Sequence, residues 1–231
     1  MMAGRVKFGI VGLDEMLAGG LLDRSICTII GAYGTGKTTF ALQFAYEGLQ
    51  QGERVIYISL KEREEILQAT MAQKGWKTED FGDRFSLLRL DPTDFNLAIS
   101  SIKSELPALI RSTGATRVII DPISLFEGIF VDESVRRREM FRLTEVMRDE
   151  NCTLLLTSEG GTVNRDGSTH GLVECLSDTV ILLRYVRSRG FTEVHLTIEV
   201  AKMRRSAHSR EIKPFDILQD EIVVYSEASL F

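Results

Sequence analysis

The run Gly31-Ala32-Tyr33-Gly34-Thr35-Gly36-Lys37-Thr38 matches G-x-x-x-x-G-K-[ST] without mismatch, a spacing that lets a backbone wrap a chain of phosphates. The glycines allow the chain to curl until successive N–H groups converge on anionic oxygens. A helix starting at the lysine adds its positive end. In such a loop Lys37 reaches the β- and γ-phosphates of a nucleoside triphosphate, and Thr38 sets its hydroxyl on Mg2+. The candidate nucleotide-binding residues are Gly34, Thr35, Gly36, Lys37, Thr38 and Thr39. Mg2+ needs a second, acidic partner. Arg117-Val118-Ile119-Ile120-Asp121 supplies one where an apolar strand ends. Parallel strands deliver their C-terminal ends to one ligand-binding edge, and a carboxylate there can hold the ion through water. An aspartate before Pro122 could equally cap the next helix, and the residues alone leave both readings open.

These groups have to be positioned by a sheet. Ser25–Ile30 reads as a buried strand that runs into the glycine-rich loop. Residues 37–50 place Phe40, Ala41, Phe44, Ala45 and Leu49 on one helical stripe, closed by Gly52. Val55–Ile58, Phe85–Leu90, Val118–Ile120 and Thr153–Thr157 read as further strands. Between them lie helices over 62–73, about 94–112 (weakened by Pro107) and 134–150. This alternation predicts an α/β fold with a mainly parallel sheet. Beyond about residue 178 the pattern changes. Thr179–Tyr185 and Glu193–Ala201 read as strands joined around Ser188-Arg189-Gly190, a hairpin signal, followed by short strands at 212–218 and 222–225. The expectation is one domain over residues 1–231, its parallel core continued by an antiparallel C-terminal extension.

A chain of 231 residues with 44% hydrophobic and 26% charged residues can bury a sizeable core without staples. Its net charge of −5 excludes a polycation that coats nucleic acid. Even so, Arg184–Lys213 carries eight basic residues against three acidic ones, which suggests a local anionic partner. Cys27, Cys152 and Cys175 lie in or beside apolar runs, as reduced core thiols of a cytoplasmic protein do. No metal-cluster spacing is readable. Met1–Lys7 is short and polar, unlike a signal peptide, and no apolar run approaches the ~20 residues that span a bilayer. The expectation is a cytoplasmic protein with no membrane partner. The lone Trp76 reads as a packing anchor.

Three further segments carry a resemblance. Gly9 to Gly20 (GIVGLDEMLAGG) resembles the GxxGLDxxLxGG segment of the RecA/RadA/KaiC superfamily. Lys202-Met203-Arg204 with His208 resembles the K-M-R…H segment of KaiC domains, and Leu156–Glu159 resembles their strand-end T-S-E. The likeness runs from about residue 5 to 225, and the chain is similar to single-domain KaiC-like ATPases of archaeal type. It implies a RecA-like P-loop NTPase core and ATP rather than another nucleotide. It also implies homo-oligomeric rings, hexamers by the family pattern, with ATP between subunits. Lys202 and Arg204 would then act in trans on the γ-phosphate held by the neighbour, where a cation stabilises the charge developed in phosphoryl transfer.

Departures from the family shape the functional reading. The family carries two glutamates after the second strand, the first being the base that activates water. Here the segment reads Ser59-Leu60-Lys61-Glu62, and a lysine does not accept a proton at neutral pH. Either Glu62 serves as base or hydrolysis is slow and ATP acts mainly as a switching ligand; Glu62 could also be a first-turn helix glutamate. Glu174 and Cys175 occupy the places of the Ser and Thr phosphorylated in the clock proteins of this family, which speaks against a Ser/Thr autokinase. The leading expectation is a Mg2+-dependent regulatory ATPase whose nucleotide state controls assembly or binding of an unidentified protein partner. A RadA-paralogue-like modulator that binds single-stranded DNA is the alternative. It would use loop 160–170 and the cluster Arg136, Arg137, Arg138 and Arg142. Against it, the loop holds one basic residue and no aromatic to stack on a base.

Overall fold

The computed structural model describes residues 4–91, 104–161, 167–187 and 194–228. A small ribbon pairs β1 (Arg5–Val6) with β2 (Leu21–Leu22) around helix α1 (Val11–Met16). The phosphate-loop strand is β3 (Ile26–Gly31), followed by α2 (Lys37–Gln50), β4 (Val55–Ser59), α3 (Glu64–Gln73) and β5 (Phe85–Arg89). Then come α4 (Leu106–Thr113), β6 (Arg117–Asp121), α5 (Ile123–Gly128), α6 (Glu133–Asp149), β7 (Thr153–Glu159), α7 (Val173–Leu176) and β8 (Thr179–Arg187). The chain closes with β9 (Val194–Met203), β10 (Lys213–Ile217) and β11 (Ile222–Val224).

Nine strands form one sheet in the order β11-β10-β9-β8-β3-β7-β6-β4-β5. The six from β8 to β5 run parallel, and β9, β10 and β11 add on antiparallel. The strand period of two sorts side chains to the two faces. Cys27 and Ile29 of β3 join the layer that holds Phe40, Phe44 and Leu49 of α2. Ile26 and Ile30 face the layer of Met140, Leu143 and Met147 from α6. Strands covered on both faces read as continuous apolar runs, which is why the central strands were legible.

The glycine-rich stretch 9–20 is a docking device. Asp14 accepts from the N–H groups of Phe8 (2.8 Å) and Gly9 (3.1 Å). A Cβ on Gly12 would collide with the carbonyl of Val224, so α1 packs directly on β11. Arg117, buried at the start of β6, binds Glu53 through Nε (2.9 Å) and Nη2 (2.6 Å). Its Nη1 donates to the carbonyls of Lys7 and Phe44, and the guanidinium lies 4.5 Å from the Phe44 ring centre. Trp76 stacks on Tyr46 at 5.6 Å between ring centres.

Three expectations change. The helix expected from 62 begins at Glu64, so Glu62 precedes it. Of the helix expected over about 94–112, residues 94–103 lie outside the described residues. Its described part carries Pro107 in the first turn, where a missing N–H costs no hydrogen bond. Cys175 is exposed rather than buried, because α7 turns Val173 inward and Cys175 outward. Residues 188–190 of the expected hairpin lie outside the described residues.

Candidate nucleotide site

Four parallel strands end at one edge, and each contributes to the same cleft. β3 ends in the glycine loop, β4 leads to Lys61 and Glu62, β6 ends at Asp121 and β7 at Glu159. The register sets Gly31 beside Glu159 and Ser59 beside Asp121. The open cleft, of about 360 Å3, is lined by Gly34, Gly36, Lys37, Thr38, Thr39, Lys61, Glu62, Asp121 and Glu159, with Tyr33, Pro122 and Ile217. Gly34 and Gly36 have φ of 77° and 90°, which side-chain-bearing residues adopt only with strain. A Cβ on Gly36 would also meet Ile217 of β10. Thr35 is buried and holds the turn by donating to the Ala32 carbonyl at 2.8 Å. Gly36 caps α2 and leaves the first-turn N–H groups at the cleft.

Lys37 Nζ donates to the carbonyls of Gly31 (2.8 Å) and Ala32 (3.0 Å), so the lysine closes over the loop it serves. Burial lowers its pKa, the carboxylates of Glu159 and Asp121 oppose that shift, and Lys61 adds to it. Asp121 is buried. Tyr57 Oη donates to its Oδ2 at 2.8 Å, and Thr157 Oγ1 is bonded to Oδ1. The cap of α5 is Pro122, without a side-chain hydrogen bond. The helix-capping reading of Asp121 therefore falls, and the carboxylate is a fixed feature of the cleft. Each of its oxygens keeps a second lone pair for water, and with the Thr38 hydroxyl it makes an all-oxygen set suited to a hard cation. Glu62 is held through its main chain, since Ser59 Oγ donates to its carbonyl at 2.8 Å. The Lys61 ammonium stands 5.8 Å from the Tyr33 ring centre.

Lys202 and Arg204 are placed elsewhere. Lys202 Nζ donates to the carbonyls of Glu174 and Ser177, each at 2.7 Å, and Arg204 Nη2 donates to that of Cys175 at 3.1 Å. Burial and the neighbouring Arg204 lower the Lys202 pKa. The Arg204 N–H bonds the Asp178 carbonyl, level with the start of β3. That is five residue steps, roughly 17 Å, from Gly31. Neither residue lines the cleft of its own chain. The arginines of α6 have local partners: Arg136 donates to the carbonyls of Glu127 and Phe130, Arg137 pairs with Glu133, and Arg138 and Arg142 pair with Glu139. Residues 162–166 of the polar loop lie outside the described residues.

A model of the family described as the KaiC ATPase matches residues 6–229. The chain belongs to the KaiC family of ATPases. A UPF0273 protein of Thermotoga maritima is 30% identical, covering 97% of both chains, and one of Methanocaldococcus jannaschii is 31% identical over 98% of both. The circadian clock oscillator protein KaiC of Parathermosynechococcus lividus is 30% identical over 94% of this chain and 41% of its own length. Among solved structures, a KaiC-like protein of Pyrococcus horikoshii superposes with a TM-score of 0.85 at 29% identity, covering 96% of this chain and 99% of that one. The KaiC-like fold is thus the RecA-type sheet expected, with its antiparallel extension. Among the described residues no helix is long and apolar enough to cross a membrane.

Sequence reasoning did not select Tyr33, Tyr57, Thr157 or Glu159 for this site. Glu159 carried a usable signal, the acidic residue that ends an apolar strand, which had picked out Asp121. Tyr57 and Thr157 were hidden as members of buried strands, and only the pairing of β4, β6 and β7 brings their hydroxyls to Asp121.

Proposed function

We propose that this KaiC-like chain is a Mg2+-dependent regulatory ATPase in one RecA-type domain, with slow turnover and with nucleotide state controlling assembly or partner binding. The observation that carries the reading is the convergence on one cleft of a glycine loop, a helix N-terminus, Lys37 and the doubly hydrogen-bonded Asp121. Thr38 and Asp121 would hold Mg2+, which supplies charge neutralisation at the β- and γ-phosphates. The loop N–H groups and Lys37 orient the triphosphate, at the cost of the lysine leaving the Gly31 and Ala32 carbonyls. Lys202 and Arg204 would complete a neighbour's site in a homo-oligomeric ring, a hexamer by family resemblance. The placement of both at the far edge of the sheet, away from their own cleft, supports this. ATP and ADP differ by a charged phosphate at that junction, which is where a differential interaction biases assembly. No observation favours the DNA reading, since the α6 arginines that motivated it are engaged by carbonyls and glutamates of their own chain.

The test is ATP turnover with light scattering, with and without Mg2+, on wild type and Lys37→Ala. The expected result is slow turnover with nucleotide-dependent growth in mass, both lost in the variant. Equal turnover and equal mass in the two proteins would overturn the reading.

A further inference from the structure

We propose that Glu159, rather than Glu62, is the carboxylate that takes the proton from the attacking water, and that Tyr33 is its positioning residue. The inference rests on the ATPase reading above. With Lys61 in the cleft, the carboxylates among its described lining residues are Glu62, Asp121 and Glu159. Asp121 already accepts from two hydroxyls, Tyr57 and Thr157, and in the reading above it is committed to Mg2+. Glu62 follows β4, whose last residue Ser59 lies in register with Asp121, so it enters the cleft from the Asp121 side. The γ-phosphate, however, is held at Lys37. Glu159 lines the cleft on that side, because β7 ends in register with Gly31 at the root of the phosphate loop.

The backbone explains the placement. Glu159 lies in register with Gly31, whose carbonyl accepts from Lys37 Nζ at 2.8 Å. Its own N–H donates to Ser124 Oγ at 3.3 Å, its carbonyl accepts the Thr169 N–H at 3.1 Å, and the next N–H, of Gly160, donates to Gly31 at 2.9 Å. A main chain tied on these sides gives the side chain a fixed origin. Tyr33, at the tip of the phosphate loop, donates from its hydroxyl to Glu159 Oε2 at 3.1 Å. That bond bridges the loop and the end of β7 and leaves Oε1 to accept from water. Lys61, beside the Tyr33 ring, keeps this mouth of the cleft cationic. In the step itself the water oxygen bonds to the γ-phosphorus and its proton passes to Glu159. The bond from the γ-phosphorus to the bridging oxygen breaks, and ADP leaves with the electron pair. Glu159 then returns the proton to solvent.

The test compares Glu159→Gln, Glu62→Gln and Tyr33→Phe with wild type in kcat and KM of Mg-ATP turnover and in affinity for a fluorescent ATP analogue. Loss of a general base costs 10²–10⁴-fold. The expected result is at least a 100-fold loss of turnover in E159Q with analogue affinity within about threefold of wild type, and less than a tenfold loss in E62Q. Y33F loses the bond that positions the carboxylate, so its kcat falls at least tenfold while KM and analogue affinity stay within about threefold of wild type, a split that a purely structural role would not give. The reverse ranking, with E62Q the more damaged, overturns the assignment while leaving the ATPase reading intact. Wild-type binding of ATP without turnover also overturns it and leaves a nucleotide-gated scaffold. Absence of any difference between wild type and Lys37→Ala in analogue affinity overturns the ATPase reading itself.

Discussion

Glu127, in the short helix α5, has no exposed surface, and neither of its carboxylate oxygens has a hydrogen-bond partner among the described residues. Burial raises its pKa to about 7, the nearby Glu174 pushes in the same direction, and Arg136 opposes them. In the unfolded chain the group titrates near 4.5. The folded pKa is the higher one, so the fold keeps its full stability at low pH and loses part of it as pH rises from about 4.5 through about 7. Between pH 5.5 and 8 wild type is expected to lose about 2 kcal/mol that Glu127→Gln does not, at about 1.4 kcal/mol per pKa unit. Urea midpoints of the two proteins at both pH values measure it, and parallel pH slopes would show that Glu127 is solvated in the fold. Local sequence carried no hint of this residue. A glutamate beside a glycine in Ser124-Leu125-Phe126-Glu127-Gly128 reads as an exposed helix end, and the packing of α5 against β7 is what buries it.

At the scale of elements, the mouth of the site is held open by a cross-brace far from it. Arg117 starts β6, the strand that ends in Asp121, and ties it to Glu53 and to two carbonyls around α2. A Cβ on Gly48 would stand 2.7 Å from the Arg117 side chain, so α2 is notched to admit the guanidinium. Arg117→Ala removes the donor to the Lys7 and Phe44 carbonyls and leaves Glu53 with the Thr116 hydroxyl, and is expected to cost about 3 kcal/mol. Thermal and urea unfolding measure it, and Arg117→Lys recovers only part because an ammonium lacks the fork that meets Glu53. The elements themselves were largely legible. The strands carrying Gly31, Ser59, Asp121 and Glu159 are apolar runs bounded by polar ends, and that signal is local. What escaped was set by pairing between distant segments: the meeting of Tyr57 and Thr157 on Asp121, the reach of Glu159 over the loop, and the outward turn of Cys175. Gly12 belongs to the segment that carries the superfamily resemblance, and its place against Val224 makes it a packing residue.

For the whole molecule, the phosphate loop and the pair Lys202/Arg204 occupy opposite edges of one rigid sheet. In the proposed assembly one copy's cation edge meets the next copy's cleft, and these are different surfaces. Such pairing is heterologous, not two-fold symmetric. A dimer then contains one finished site and one bare cleft, and an open chain of any length always leaves one cleft unfinished until the ends meet. Specific activity per subunit is expected to rise with protein concentration and to level off at ring closure, measured as turnover against light scattering over a dilution series. A flat profile would mean that each chain completes its own site. Geometry of this kind would make abundance itself a control input: a lone subunit is silent, each junction that forms finishes one site, and closure finishes the last.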